Sequence, residues 1–272
     1  MPADVSIIIP SYNGQEFIEK TIESCLNQTY KYINILVIDD NSTDSTRDLL
    51  SAYGDEVALI FNNENLGIVK NVNHGVNLIQ TDYFLLLGHD DVLVETHVEK
   101  MLNEFEPGVV SVHCNSVLIN GKGEETGVLF DDSTQIIKNS NSLFELSIEN
   151  YISSCGMLHK TSVFKEVNGW DERYLHYGEW LYYIKSLEYG KIKYTTSTQA
   201  YYRRHDTNIT NTFRSKSVLR KLHMYMDECR CLAHYMDSGT ITKNLIYHLN
   251  RAKVTFIRMV PQTLKQFVRR LK

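Results

Sequence analysis

The sequence predicts an α/β protein built around a parallel sheet. Short apolar runs rich in β-branched residues recur along the first third of the 272-residue chain. Segments with apolar residues at helical spacing separate them. Each run ends in a cluster of turn-forming and polar residues. Strands alternating with helices in this way are the signature of parallel pairing.

Val5-Ser6-Ile7-Ile8-Ile9 reads as the first strand, closed by the turn signal Pro10-Ser11-Tyr12-Asn13-Gly14. Ile18, Ile22, Cys25 and Leu26 then recur at helical spacing. Residues 33–38 form a second strand ending in Asp39-Asp40-Asn41-Ser42-Thr43-Asp44. Residues 57–61 form a third, followed by Asn65-Leu66-Gly67. A helix through Val69, Val72, Val76 and Ile79 leads to Tyr83-Phe84-Leu85-Leu86-Leu87. That run ends, across Gly88-His89, in the pair Asp90-Asp91.

In such sheets, ligands bind beyond the carboxyl ends of the strands. Ser11-Tyr12, Asp39-Asp40, Asn65-Gly67 and Asp90-Asp91 all fall there. Two adjacent carboxylates repel unless a positive charge joins them. A divalent cation holding a phosphate satisfies that need, because hard cations take oxygen ligands. The plainer reading of the pair is a turn aspartate followed by a cap.

The first run through Asn13, the segment Val37-Ile38-Asp39-Asp40-Asn41-Ser42-Thr43-Asp44, then Asn65-Leu66-Gly67 with Lys70-Asn71, and Gly88-His89-Asp90-Asp91 occur in one order. Together they resemble the family 2 glycosyltransferases over roughly residues 4–210. The resemblance implies a GT-A fold: a central, mostly parallel sheet flanked by helices. A nucleotide-binding half (about 1–92) would merge with an acceptor-binding half (about 93–212), and a helical extension (213–272) would follow. It also implies inverting, metal-dependent transfer from a UDP-sugar to a glycan or lipid-linked saccharide of the bacterial surface.

By the same resemblance, Pro10, Ser11, Tyr12 and Asn13 line the donor site, with Tyr12 against the base. Asp40 accepts from the base, while Asp39 stabilises the turn. Asn65, Gly67 and Lys70 lie near the nucleotide. Lysine replaces the arginine of many members there and offers a point charge rather than a planar fork. Asp91 corresponds to the ligand of Mg2+ or Mn2+, and Asp90 to the neighbour touching ribose or metal-bound water. The family has a further acid where this chain has Gly88. Arg203, Arg204 and His205 would neutralise the leaving diphosphate, with His205 completing the metal site.

Glu179, opening Gly178-Glu179-Trp180-Leu181-Tyr182-Tyr183, stands where the family carries its general base, often an aspartate. It also suits a helix N-terminus on electrostatic grounds alone. Asp171 and Glu172 are the rival bases. Ser153-Ser154-Cys155-Gly156-Met157 is expected to be a strand of small side chains under the sugar. The alternatives are a sugar nucleotidyltransferase, disfavoured by the missing glycine-rich phosphate loop, and a non-catalytic nucleotide- or glycan-binding module.

Five scattered cysteines, none with zinc-finger spacing, suggest reduced thiols and a cytoplasmic location. No signal peptide or membrane-spanning run is visible. The net charge of −5 is uneven: residues 251–272 carry seven basic residues and no acid, leaving −12 on the rest. Apolar residues interleave with those charges, around Pro261. Such a segment suits either peripheral attachment to the inner face of the cell membrane or docking on the domain or a partner subunit. No nucleic-acid reader motif accompanies it.

Overall fold

The computed structural model describes residues 2–131, 146, 150–206 and 208. The expected helical extension, including the basic segment 251–272, lies outside them.

The first half alternates strand and helix as the pattern predicts. It runs β1 (Val5–Ser11), α1 (Ile18–Leu26), β2 (Ile33–Asp39), α2 (Thr46–Ser51), β3 (Ala58–Phe61), α3 (Ile68–Leu78) and β4 (Tyr83–Leu86). Then follow β5 (Val92–Leu93), α4 (His97–Leu102), β6 (Val109–Ile119), β7 (Glu125–Val128), β8 (Leu158–Lys160) and α5 (Thr161–Glu166). A 3-10 turn over Glu172–Tyr177 leads into α6 (Gly178–Ser186), and β9 (Lys191–Arg203) closes the described fold.

All the described strands join one sheet in the order β3-β2-β1-β4-β8-β6-β9-β5, with β7 on β6. Strands β3, β2, β1 and β4 are parallel neighbours. Beyond β4 the sheet is mixed: β8 runs antiparallel to β4 and β6, and β9 runs parallel to β6. Every residue of β1 is buried, as expected of a central parallel strand covered on both faces. Its side chains alternate between two cores. Ile8 packs with Ile38, Val72, Val76 and Phe84, whereas Ile7 and Ile9 pack with Ile18, Ile22, Val37 and Leu85. This period of two fixes the register, because a one-residue slip would exchange the two faces.

Register then aligns the strand ends. Ser11 pairs with Asp39, and Asp39 with Phe61, so three loops open from one edge. The short strand β5 pairs antiparallel with β9, placing Val92 beside Tyr201. That pairing brings the end of β9 against Asp90 and Asp91, across more than a hundred residues of sequence. One expectation differs: residues 153–157 form no strand, and β8 starts only at Leu158. Their side chains instead reach separate elements, as described below.

Candidate active site

The donor-side loops are welded together by their own polar residues. Asn13 adopts positive φ (52°). Its amide donates to Ser42 Oγ at 2.8 Å, and its Oδ1 accepts from the Thr43 amide at 2.8 Å. The loop after β1 is thus tied to the loop after β2. Asp39 is fully buried and accepts from the Ser42 amide and the Arg47 guanidinium, which fits its expected turn role. Asp40 holds the next loop: Oδ1 accepts from Asn62 Nδ2 and the Leu66 amide, and Oδ2 from the Gly67 amide at 2.8 Å. Gly67, at φ 80°, precedes α3, and Asn65 Oδ1 also accepts from its amide. Pro10 and Ser11 are buried in β1, Tyr12 is 44% exposed, and Lys70 is exposed in the first turn of α3.

At the end of β4 the two aspartates part. Asp91 turns inward and is 4% exposed; its Oδ1 accepts from the Arg203 amide at 2.9 Å. The Cys155 thiol lies against the same carboxylate, whose pKa burial pushes well above its ordinary value, with the charge of Asp90 adding to the rise. Asp90 is half-buried, with 14% of its side chain exposed. Its Oδ2 lies 2.9 Å from His205 Nε2 and accepts from Asn208 Nδ2 at 2.9 Å. Gly88 leaves the room for both carboxylates. A Cβ there would stand 2.8 Å from Asp90 Oδ1 and 3.0 Å from Asp91 Oδ2. A further acid at position 88 does not fit this arrangement.

Arg203 corrects its expected role. The residue is buried, with Nε donating to the Asp90 carbonyl at 2.8 Å and Nη1 to the Asn120 carbonyl at 3.0 Å. Its guanidinium lies 4.7 Å from the centre of the Phe17 ring, which also meets the His205 ring at 4.9 Å. Arg203 therefore braces the acidic pair from within rather than facing a diphosphate. Arg204 is half-buried over the Tyr202 ring, its amide on the Ile119 carbonyl.

Glu179 is half-buried at the start of α6, and Tyr183 donates to its Oε1 at 2.7 Å. Burial raises the Glu179 pKa above its ordinary value, and the hydroxyls of Tyr183 and Ser154 pull it back down. The rival Asp171 is bound by Arg173 at 2.6 Å, which draws its pKa below the ordinary range, and Glu172 is exposed.

Residues 153–156 link the two acidic centres. Ser153 Oγ meets Ser116 Oγ at 2.6 Å, Ser154 lies against Glu179, and Cys155 lies against Asp91. The Gly156 amide donates to the Leu86 carbonyl of β4, and its carbonyl meets His97 Nε2 at 2.7 Å. Gly178 sets the height of α6, since a Cβ there would stand 2.8 Å from the Asp171 carbonyl oxygen. Gly178→Ala is therefore expected to lower stability by about 1–3 kcal/mol, as overpacking against backbone does. Denaturant unfolding read by tryptophan fluorescence measures it; an unchanged midpoint would show that α6 shifts freely.

Tyr12, Asn65 and Gly67 thus lie on the strand-end loops and Lys70 on the first turn of α3, Asp90, Glu179 and His205 are half-buried, and Ser11, Asp40, Asp91 and Arg203 are buried. Sequence reasoning missed Phe17, Asn62, Tyr183 and Asn208, and placed Ser154 only in a strand under the sugar. The four-residue spacing of Glu179 and Tyr183 on one helix face was a usable signal. Asn208 carried none, since only the β5–β9 pairing brings it to Asp90.

Comparison with known proteins places the chain in a family. Residues 6–168 match the model of glycosyl transferase family 2. An uncharacterized glycosyltransferase of Rickettsia typhi is 32% identical over 212 residues, covering 76% of this chain and 66% of the relative. The chain spans about a third of the length of longer Rickettsia relatives. An Escherichia coli protein, UDP-Glc:alpha-D-GlcNAc-diphosphoundecaprenol beta-1,3-glucosyltransferase WfaP, is 29% identical over 255 residues, covering 91% of this chain and 98% of that protein. Among solved structures, Staphylococcus aureus TarS in complex with UDP-GlcNAc superposes with a TM-score of 0.68 at 16% identity, covering 92% of this chain and 71% of that one. The mixed, helix-flanked sheet is the GT-A fold, and the chain belongs to glycosyl transferase family 2.

Proposed function

We propose that this chain is the transfer domain of an inverting, metal-dependent glycosyltransferase. It would move a sugar from a UDP-sugar to a hydroxyl of a lipid-linked saccharide. The observation that carries this reading is the placing of a half-buried Asp90–His205 carboxylate–imidazole pair beside Asp91, which residues 154 and 155 join to a hydroxyl-bound glutamate. One end suits a nucleotide diphosphate and the other suits an acceptor proton.

Asp90 and His205, rather than Asp91, are the residues suited to hold the metal. Asp90 Oδ2 and His205 Nε2 are 2.9 Å apart, the spacing of adjacent corners of an octahedron with bonds of ~2.0–2.1 Å. Asp91 is buried and already holds the Arg203 amide. No group of three or more His, Cys, Asp or Glu side chains suited to a metal occurs among the described residues. Phosphate oxygens and water would complete the shell, a pattern usual for Mg2+. When bound, the ion supplies positive charge to the departing diphosphate.

Glu179 would take the acceptor proton as the new C–O bond forms at the anomeric carbon and the bond to the diphosphate breaks. Donor choice follows from counting lone pairs on Asp40. Three of its four acceptor positions already receive protein donors, leaving one on Oδ2. One open acceptor suits the single imide N–H of uracil. Guanine presents two adjacent donors and needs two. UDP is therefore expected to bind at least tenfold tighter than GDP in the presence of Mn2+, measured by calorimetry. Asp40→Asn should narrow that preference, and equal affinities for the two nucleotides would remove the uridine assignment.

The lipid-linked acceptor rests on the likeness to the E. coli glucosyltransferase over nearly its whole length. The basic, apolar-interleaved segment 251–272 suits attachment at an anionic membrane surface where such an acceptor is held. The direct test is transfer from a panel of UDP-sugars to a GlcNAc-diphospho-lipid with Mn2+. Formation of a β-linked disaccharide lipid supports the reading. No transfer or hydrolysis from any UDP-sugar, with UDP bound normally, would favour a binding module.

A further inference from the structure

Glu179 has two hydroxyl neighbours that no step of transfer itself requires. Tyr183 lies one helical turn further along α6, is 1% exposed, and donates to Glu179 Oε1 at 2.7 Å. The Ser154 hydroxyl lies against both the Glu179 carboxyl and the Tyr183 phenol. The Tyr183 ring is buried in the core, 5.7 Å from the Tyr182 ring, and stacks with His159 at 6.3 Å between ring centres. Its hydroxyl is therefore held in place by packing rather than by the helix surface.

A general base must meet two conditions. It must be anionic before the acceptor arrives, and one lone pair must point at the acceptor oxygen. A half-buried carboxyl fails the first unless donors stabilise its charge, and a free Glu side chain fails the second, because it has three rotatable bonds. One fixed donor on Oε1 meets both. It stabilises the anion and holds the carboxylate plane.

We propose that Tyr183, assisted by Ser154, is a positioning residue for the base, holding Glu179 anionic and in its reactive orientation. The proposal rests on Glu179 being the base. It assigns a function to a tyrosine that its position alone would place in the core.

Tyr183→Phe removes the hydroxyl and keeps the ring, so the ring contacts with His159 and Tyr182 survive. The test uses the full chain with UDP-glucose and Mn2+, water serving as acceptor. The expected result is a fall in kcat of about tenfold or more with KM for UDP-glucose unchanged, since a positioned base contributes roughly 10²–10⁴-fold in all. In the Glu179→Gln background, Tyr183→Phe should cause no further loss, which a merely structural tyrosine would not obey. A second readout needs no turnover: the carboxyl 13C resonance of Glu179, identified by its disappearance in Glu179→Gln, should shift in Tyr183→Phe. It decides the matter whichever sugar the donor carries.

An unshifted resonance overturns the proposal, as does an unchanged kcat alongside a slow Glu179→Gln. In both cases the base assignment is untouched. Wild-type hydrolysis by Glu179→Gln would instead remove the base assignment, and this proposal with it.

Discussion

Glu179→Gln is expected to bind UDP and Mn2+ about as the wild type does and to transfer sugar 10²–10⁴-fold more slowly, the usual contribution of a positioned general base. The amide keeps the shape of the carboxyl and can still accept from Tyr183 through its oxygen. It cannot take the acceptor proton. Glu179→Asp should retain more activity, because it keeps the acid and shortens the reach by one methylene. A pH profile adds a signed test. Burial raises the Glu179 pKa, and the base works only when ionised. Transfer should therefore fall as pH drops through a value above the ordinary carboxylate range. Asp171→Asn should be mild, since that carboxylate already holds Arg173. A transfer assay beside UDP calorimetry checks all of these, and near-normal transfer by Glu179→Gln would move the base elsewhere.

The second large effect is expected at Asp90. Asp90→Asn keeps the contacts to His205 and Asn208 in outline but removes the less buried carboxylate of the pair. Its loss of Mn2+-dependent UDP affinity should exceed the ~10–100-fold that removal of an outer-shell partner causes. Asp91→Asn can still accept the Arg203 amide, so its effect should appear as lowered stability with metal dependence largely kept. Calorimetry with UDP at varied Mn2+, set against denaturant melts, separates the two variants. The opposite ranking, with metal dependence lost at Asp91 and kept at Asp90, would restore Asp91 as the ligand.

Much of the nucleotide-binding half is legible in the sequence. Its strands are locally encoded: β-branched runs, helical spacing and turn clusters follow one another within about ninety residues, and parallel pairing follows from that alternation. Positions such as Tyr12, Asp40 and Gly67 can be placed at the sheet edge without coordinates. The second half resists this reading. Residues 153–157 consist of small side chains that look like a strand, yet their hydroxyls and thiol are engaged by three different elements. No local pattern encodes partners that lie on β6, α6 and the turn after β4.

Asp90 and Asp91 show where the boundary falls. Local pattern alone is enough to place two carboxylates after a buried strand at the ligand edge of an α/β sheet, with a basic cluster and a glutamate-led helix to follow. Which of the two is the more deeply buried depends on long-range pairing. The two-residue strand β5 pairs with β9, and that pairing presents the Arg203 amide to Asp91 and the His205 ring to Asp90. Neighbouring residues in a turn have nearly equal local preferences. The difference between them comes from a partner more than a hundred residues away, and a buried amide must be satisfied by whichever acceptor the fold brings to it.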